Sequence, residues 1–263
     1  MRSLYTAATG MAAQELNVQV ISNNIANLRT TGYKRQRAQF QDLLYETLRR
    51  AGTATSDQNT MVPSGVQLGS GVKTASTARV MSQGTLTPTE KQYDVAIRGE
   101  GFLQVLLPDG RTAYTRDGSM ELDGTGQLVT HDGYQIQPQI VVPTTATSVT
   151  ISASGQVQAT LTGQTAPQTL GQLQLAHFVN KEGLESIGDN LFVETTASGA
   201  PLTGNPGADG LGNLQQGYLE EANVNAVTEI SSLIAAQRAY EMNAKVVTAS
   251  DQMLSTTSQM FRG

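Results

Sequence analysis

Cysteine and tryptophan are both absent from this chain. Without cysteine it has no disulfide, no thiolate metal centre and no thiol nucleophile. Aromatic residues are only 5% and charged residues 15% of the sequence, the latter well below the roughly 25% of an ordinary soluble domain. Thr, Ser, Gln, Asn and 26 glycines fill the gap. Such a surface is polar without being repulsive, which suits close subunit packing and equally suits a secreted β-rich protein. No apolar run approaches the roughly 18–20 residues of a membrane span, so no membrane crossing is expected. The start of the chain lacks the apolar core of about 7–15 residues that marks a secretory signal. The protein is therefore expected to stay in the cytoplasm or to leave by a route that reads something else.

Basic surface is also scarce. The net charge is −5 and the pI about 5.1, whereas a nucleic-acid footprint calls for a basic face; no nucleic-acid partner is expected. The cluster Lys34, Arg35, Arg37 is short, has no aromatic series around it, and reads as a solvated turn or an inter-subunit contact.

Catalytic and cofactor patterns are missing as well. His131 and His177 lie in separate strand-like regions with no carboxylate at metal-ligand spacing. No G-x-S-x-G is present, and Gly99-Glu100-Gly101 runs into Phe-Leu-Gln without a third glycine or the helix it should open. Asp123-Gly124-Thr125-Gly126 lacks the carboxylate ladder of a calcium loop. Glu220-Glu221 reads as a solvated turn before a helix. The expectation is no enzyme, no metal and no cofactor.

What is present sits at the two ends. Leu4, Met11, Val18 and Ile25 recur at sevens, with a companion series Ala7, Gln14, Ile21 and Leu28; this is coiled-coil spacing. The spacing predicts a helix over about Ser3–Leu28, roughly 37 Å at 1.5 Å per residue, with Gly32 as a left-handed terminator. At the far end Ala226, Leu233, Tyr240, Val247, Leu254 and Phe261 also fall at sevens, flanked by Ile230, Ile234 and Ala244. That helix would run roughly 57 Å over about 38 residues. Both are weakly charged, and neither can bury its seam alone. Pairing the two with each other, with further copies over their outer faces, is the simplest solution; packing of both on one globular core is the other.

Between them the pattern changes. Lys34–Arg50, with Phe40, Leu43, Leu44 and Leu48, reads as a short amphipathic helix. Residues 51–71 read as a long Gly/Thr/Ser-rich loop, of a length unusual in a compact domain. From Val72 to about Gly217 the signal is β, punctuated by Pro108-Asp109-Gly110, Asp117-Gly118, Asp123-Gly124 and Asp132-Gly133 turns. A hairpin is expected from Val149-Thr150-Ile151 across Ser154-Gly155 to Val157–Leu161. The fold class is α+β: a discontinuous terminal helical coiled-coil domain bracketing a mainly β middle. The expected division is 1–35 with 224–263 as the helical core, 36–71 as an extended segment, and 72–223 as the β-rich outer domain.

Several motifs carry a resemblance. Asn23, Asn24, Ala26 and Asn27 in Ser22–Asn27, followed by Gly32 and Tyr33 in Thr31–Arg35, resemble the signature of flagellar rod, hook and hook-associated axial proteins. Asn223 and Asn225, then Gln237, Arg238 and Tyr240 in Ala236–Asn243, are similar to the C-terminal motif of the same family. Asp94–Phe102 and Tyr114–Ser119 resemble its β-domain motifs. Ile25, where Leu is common in the family, and Leu103, where a second Phe is frequent, depart from the pattern only by apolar swaps. Phe40–Gly71, including Pro63, Gly65, Gly69 and Gly71, resembles the extended segment of the distal-rod members, as do Leu184–Leu191 and Ser198–Pro201.

The resemblance implies a structural subunit rather than a catalyst. It implies export through the flagellar type III apparatus without a cleaved signal, and a periplasmic, basal-body location. It implies a helical homopolymer forming a hollow tube, with terminal helices inside and the β domain outside. It further implies torque transmission, contacts with proximal rod proteins, hook protein and the P and L rings, and a stiffening role for residues 51–71. Another axial subunit, proximal rod or hook, is the nearest alternative. A cell-wall hydrolase and a secreted adhesin are the alternatives from other classes.

Overall fold

The computed structural model describes residues 2–52, 63–164 and 166–260. Helices stand at the two ends and strands fill the middle, an α+β arrangement. The chain forms two compact units. One holds Met1–Ile25, Gln36–Ala78 and Ala226–Gly263; the other holds Ala26–Arg35 and Arg79–Asn225.

The first unit contains α1 (Arg2–Ala26), β1 (Gln36–Asp42), β2 (Tyr45–Arg49), β3 (Val66–Gly69), β4 (Val72–Arg79) and, from the end of the chain, α2 (Ala226–Met260). Strand β1 pairs with β4, and β2 pairs antiparallel with β3 from Tyr45↔Gly69 to Arg49↔Val66. The helix expected over Lys34–Arg50 is therefore corrected to two strands. Its apolar spacings of three and four came from only four residues. A short window cannot register partners such as β3 and β4, which lie well along the chain. The region read as a loop likewise ends in β3; residues 53–62 lie outside the described residues. The β2–β3 ribbon is exposed on both faces: Leu44 is 88% exposed, and Tyr45, Leu48, Val66 and Leu68 also face out.

The second unit is built from short antiparallel strands: β5 (Leu86–Pro88), β6 (Val95–Arg98), β7 (Phe102–Leu106), β8 (Thr112–Thr115), β9 (Met120–Leu122), β10 (Leu128–Thr130), β11 (Gln135–Gln137), β12 (Ala146–Ile151), β13 (Gln156–Leu161), β14 (Gln168–Gln172), β15 (Leu175–His177), β16 (Glu185–Gly188), β17 (Leu191–Val193), β18 (Leu202–Gly204), β19 (Asn213–Gln216) and β20 (Tyr218–Glu220). The largest sheet runs β16-β17-β8-β7-β11-β10-β9, with β15 bridging β7 and β18. Strands β12, β13 and β14 form a second sheet, and β6–β19 and β5–β20 are two-stranded pairs.

Turn chemistry accounts for the local order. The β7–β8 turn is the expected Pro108-Asp109-Gly110, closed by Leu107 N–H donating to Arg111 O at 2.9 Å. The Asp123 carboxylate accepts from the Thr125 and Gln127 amides at 2.6 and 3.2 Å, an Asx turn rather than a cation loop. The β16–β17 hairpin turns on Asp189 and Asn190, with φ of 49° and 57°. Asp and Asn are the non-glycine residues that best tolerate that left-handed region. The hairpin expected across Ser154-Gly155 is β12–β13, paired from Ala146↔Leu161 to Ile151↔Val157.

The core lies between the sheets. Val95, Ile97, Leu103, Met120, Leu128, Ile136, Val157, Leu173 and Leu175 are buried in one cluster. At roughly 1.5–3 kcal/mol per fully buried large apolar side chain, this cluster is the main stabilising term of the unit. Successive residues of a strand point to opposite faces, so Phe102 enters a second cluster. There it meets Phe178 and Phe192 edge-on at 6.0 Å, and Tyr114 stacks edge-on against Phe178 at 4.7 Å.

Candidate assembly interface and its joint

The two terminal helices pack antiparallel in one constant register. Ser3 Oγ lies 3.2 Å from Ser250 Oγ. A Cβ on Gly10 would sit 2.9 Å from the Asn243 side chain. Asn24 Nδ2 donates to Glu229 Oε2 at 3.1 Å. Each step of a heptad on α1 is matched by a heptad step backwards on α2, and by the same register Asn17 falls opposite the buried Ala236. The contact line is thus made of small and polar residues. Glycine at position 10 leaves room for the Asn243 side chain, which would have to shift if a Cβ stood there.

The heptad residues named from the sequence distribute around this line. Ala7 and Ile21 are buried, together with Ala13, Val20 and Asn24. On α2 the buried positions are Glu229, Ala236 and Ser250. Leu4, Met11, Val18, Ile25 and Leu28 are half-buried, as are Ala226, Leu233, Ala244 and Val247. Ile230, Ile234, Tyr240 and Leu254 are 43–49% exposed. Phe261 lies outside the described residues. Helix α1 ends at Ala26, so Leu28 sits in the turn beyond it. An open groove of about 630 Å³ runs between the helices, lined by Glu15, Val18, Gln237, Tyr240 and Glu241.

Asn24 locks the end of the helix pair. Its amide donates to Gln36 O at 2.8 Å and accepts from Gln36 N–H at 2.9 Å, pairing with the backbone in both directions. Its further bond to Glu229 reaches the first turn of α2, where the helix dipole favours a carboxylate. Asn24→Ala would remove three hydrogen bonds at once, one to Glu229 Oε2 and two to the Gln36 backbone. We expect a loss of about 1–3 kcal/mol in denaturant unfolding of this unit; an unchanged midpoint would contradict the assignment.

The second unit holds the two segments of chain that lead to and from the helices. Gly32 N–H donates to Glu220 O at 2.8 Å. Asn223 accepts from Arg35 N–H at 2.7 Å and donates to Val80 O at 2.7 Å and Ser82 O at 3.0 Å. Gly32 has φ of +69°, and a Cβ there would meet the Arg116 backbone at 2.8 Å. The glycine is therefore required, but for this turn and close approach; it stands six residues past the end of α1 and does not terminate it. Asn23, Asn27, Tyr33 and Asn225 each make further polar, ring or electrostatic contacts. Ala26, Gln237 and Arg238 are exposed.

A buried ion cluster underlies this joint, and it corrects two expectations. Lys34 Nζ contacts Glu220 Oε1 at 2.5 Å, and Arg116 Nε lies 3.1 Å from Glu220 Oε2. The Lys34 and Glu220 side chains are each 1% exposed and Arg116 is 4% exposed. Glu220 is thus no solvated turn residue, and Lys34 is no solvated member of a basic patch. Lys34 also donates to Ser82 O at 2.9 Å, and Glu220 accepts from Gly84 N–H at 2.8 Å. Arg116 Nη1 donates to Gly99 O and Gly101 O at 2.8 and 2.7 Å. Burial, opposed in part by Glu220, holds the Lys34 ammonium below the usual lysine range. Lys34 and Arg116 each lie inside a quoted motif, so a shared carboxylate was the missing signal. Short β20, reading Tyr-Leu-Glu, offered no alternation long enough to place Glu220 inside.

The segment positions named from the sequence are spread over the first unit. Pro63 and Gly65 are exposed. Gly69 packs on the Tyr45 ring, and Gly71 lies against Thr9 of α1. Next to it Val72 N–H reaches Thr9 Oγ1 at 3.4 Å.

Comparison with known proteins follows the same geography. Residues 4–34 match the family described as flagella basal body rod protein. Residues 96–159 match the flagellar hook protein FlgE/F/G D1 domain, and residues 215–260 match the flagellar basal body rod FlgEFG protein C-terminal family. The chain is 58% identical to a flagellar basal-body rod protein FlgG of Caulobacter vibrioides, over 99% of both chains. It is 52% identical to the FlgG of Buchnera aphidicola from Acyrthosiphon pisum, over 98% of this chain and 99% of the relative. Both units fall within these matches, and the chain belongs to the family of flagellar basal-body rod proteins.

Proposed function

We propose that this chain is a structural subunit of the flagellar distal rod, polymerising helically through its terminal helices into a rigid hollow drive shaft. The single observation that carries this reading is the state of the helix pair. Its internal contact line is small and polar, while Val18 and Tyr240 line an open groove and Ile230, Ile234 and Leu254 are exposed on α2. Several large apolar side chains left exposed on a weakly charged helix call for further helices.

In this reading residues 1–35 with 224–263 form the tube core, and residues 72–223 form the outer body. Residues 36–71 form the extended segment, of which 51–71 stiffen the wall. The β2–β3 ribbon supports that last role, since a two-stranded ribbon exposed on both faces is marginal on its own and gains stability from a neighbouring copy. The partners are then further copies, proximal rod proteins, hook protein, the P-ring and L-ring proteins and the type III export apparatus. The location is the basal body within the periplasm, reached without a cleaved signal peptide. A weakly charged outer surface reduces drag against a surrounding ring, so rod–ring friction should be insensitive to salt.

The test is direct. Cells lacking the gene should regain straight rods when given the wild-type chain, seen in isolated basal bodies by electron microscopy. Deleting residues 51–71 should give a polymer that bends. Straight rods from the deletion variant would overturn the stiffening role.

A further inference from the structure

Sulfur in this chain is carried by 8 methionines alone, since it has no cysteine. The described methionines differ sharply in access. Met120 is 2% exposed in the β core, and Met11 and Met81 are half-buried. Met242, Met253 and Met260 are 61, 63 and 76% exposed, and all three stand on α2. At 3.6 residues per turn Met260 lies about five full turns beyond Met242 and in line with it, some ~27 Å along the helix, and Met253 falls about 20° off that line. Exposed Val246 and Ala249 complete the stripe. Asn243, which faces Gly10 of α1, follows Met242 directly and so points about 100° away around the helix. The methionines therefore form one flank of α2 that α1 leaves open.

We propose that Met242, Met253 and Met260 are a sulfoxidation site through which a two-electron oxidant of the hypohalous-acid class controls whether the free subunit can assemble. Each thioether sulfur takes the oxygen of one HOCl and forms an S=O bond, while chloride and a proton leave; sulfur loses the two electrons that chlorine gains. A methionine sulfoxide reductase reverses the step, with two thiols supplying the electrons and the oxygen leaving as water. A sulfoxide is polar where the thioether was apolar, so three of them turn the whole flank polar. A polar group is buried at a cost unless it finds a hydrogen-bond partner, and an oxidised flank is no longer suited to a dry contact. The control of assembly rests on the reading that copies assemble through their terminal helices; the chemical site stands on exposure and alignment alone.

Limited treatment of the purified full-length chain with hypochlorous acid tests it. Peptide mass spectrometry should show the three α2 methionines oxidised roughly tenfold or more faster than Met120, because susceptibility follows exposure. Polymer yield, read by sedimentation, should fall roughly tenfold and return after treatment with methionine sulfoxide reductase and dithiothreitol. Leucine keeps the size and apolar character of methionine without the sulfur. The triple variant Met242→Leu, Met253→Leu, Met260→Leu should therefore polymerise like the untreated wild type and keep its yield after the oxidant. Equal oxidation rates for Met120 and the α2 methionines, normal polymerisation of the oxidised wild type, or loss of yield by the treated triple variant would overturn the inference. If the untreated wild type builds no polymer, the rod reading falls and the control of assembly falls with it, while the peptide rates still decide the chemical site.

Discussion

Replacing Glu220 with alanine is expected to cost about 3–5 kcal/mol, the range for breaking a buried ion pair by removing one partner. The reason is what stays behind. Lys34 and Arg116 would remain in a site from which solvent is excluded, with no carboxylate between them. The Gly84 amide would lose its acceptor as well. Glu220→Gln keeps the size and an acceptor oxygen but not the charge, and should fall between wild type and alanine. The measurement is the urea midpoint of the full-length chain, followed by hydrogen exchange of Val95–Leu106. A change below about 1 kcal/mol for alanine, the worth of an exposed pair, would mean that the cluster is solvated in solution.

The second large effect concerns assembly rather than folding. Leu233→Asp together with Val247→Asp is expected to abolish polymerisation while the β unit keeps its exchange protection. Both residues are already half-buried within the single chain. In the proposed assembly neighbouring helices would cover these positions, a carboxylate there would lose its water, and an unpaired buried charge is among the costliest changes available. Electron micrographs and sedimentation report the polymer; hydrogen exchange reports the β unit. Retained rods would show that this side of α2 is not covered. Joint loss of rods and β protection would show that the two units do not fold independently.

Much of this architecture is legible in the sequence. Helices α1 and α2 follow from heptads long enough to be unambiguous, and the Asp-Gly and Pro-Asp-Gly turns follow from backbone chemistry. The family signatures were legible by resemblance. Three things were hidden, each for a physical reason. Strands β1 and β2 were misread because a few apolar residues at spacings of three and four imitate a helix when the strand's partner is distant. The innermost line of the helix pair was hidden because Ser3, Gly10, Asn24, Asn243 and Ser250 carry no hydropathy signal. The Lys34–Glu220–Arg116 cluster was hidden because charged residues far apart in the chain look solvated until burial is known. Asn24 and Asn223 change meaning most: as sequence they are signature letters, and as structure each is a hydrogen-bonding node, Asn24 within the first unit and Asn223 within the second.

The incoming segment at Gly32–Arg35 and the outgoing segment at Glu220–Asn223 lie side by side, bonded backbone to backbone and through one asparagine. Residues 79–220 of the second unit are a closed excursion: Val80 and Ser82, where it starts, accept from Asn223, just past its end. A body of different size or topology could be exchanged there, provided its own ends met as closely. The second unit thus has the form of a cassette, its chain entering and leaving at one place.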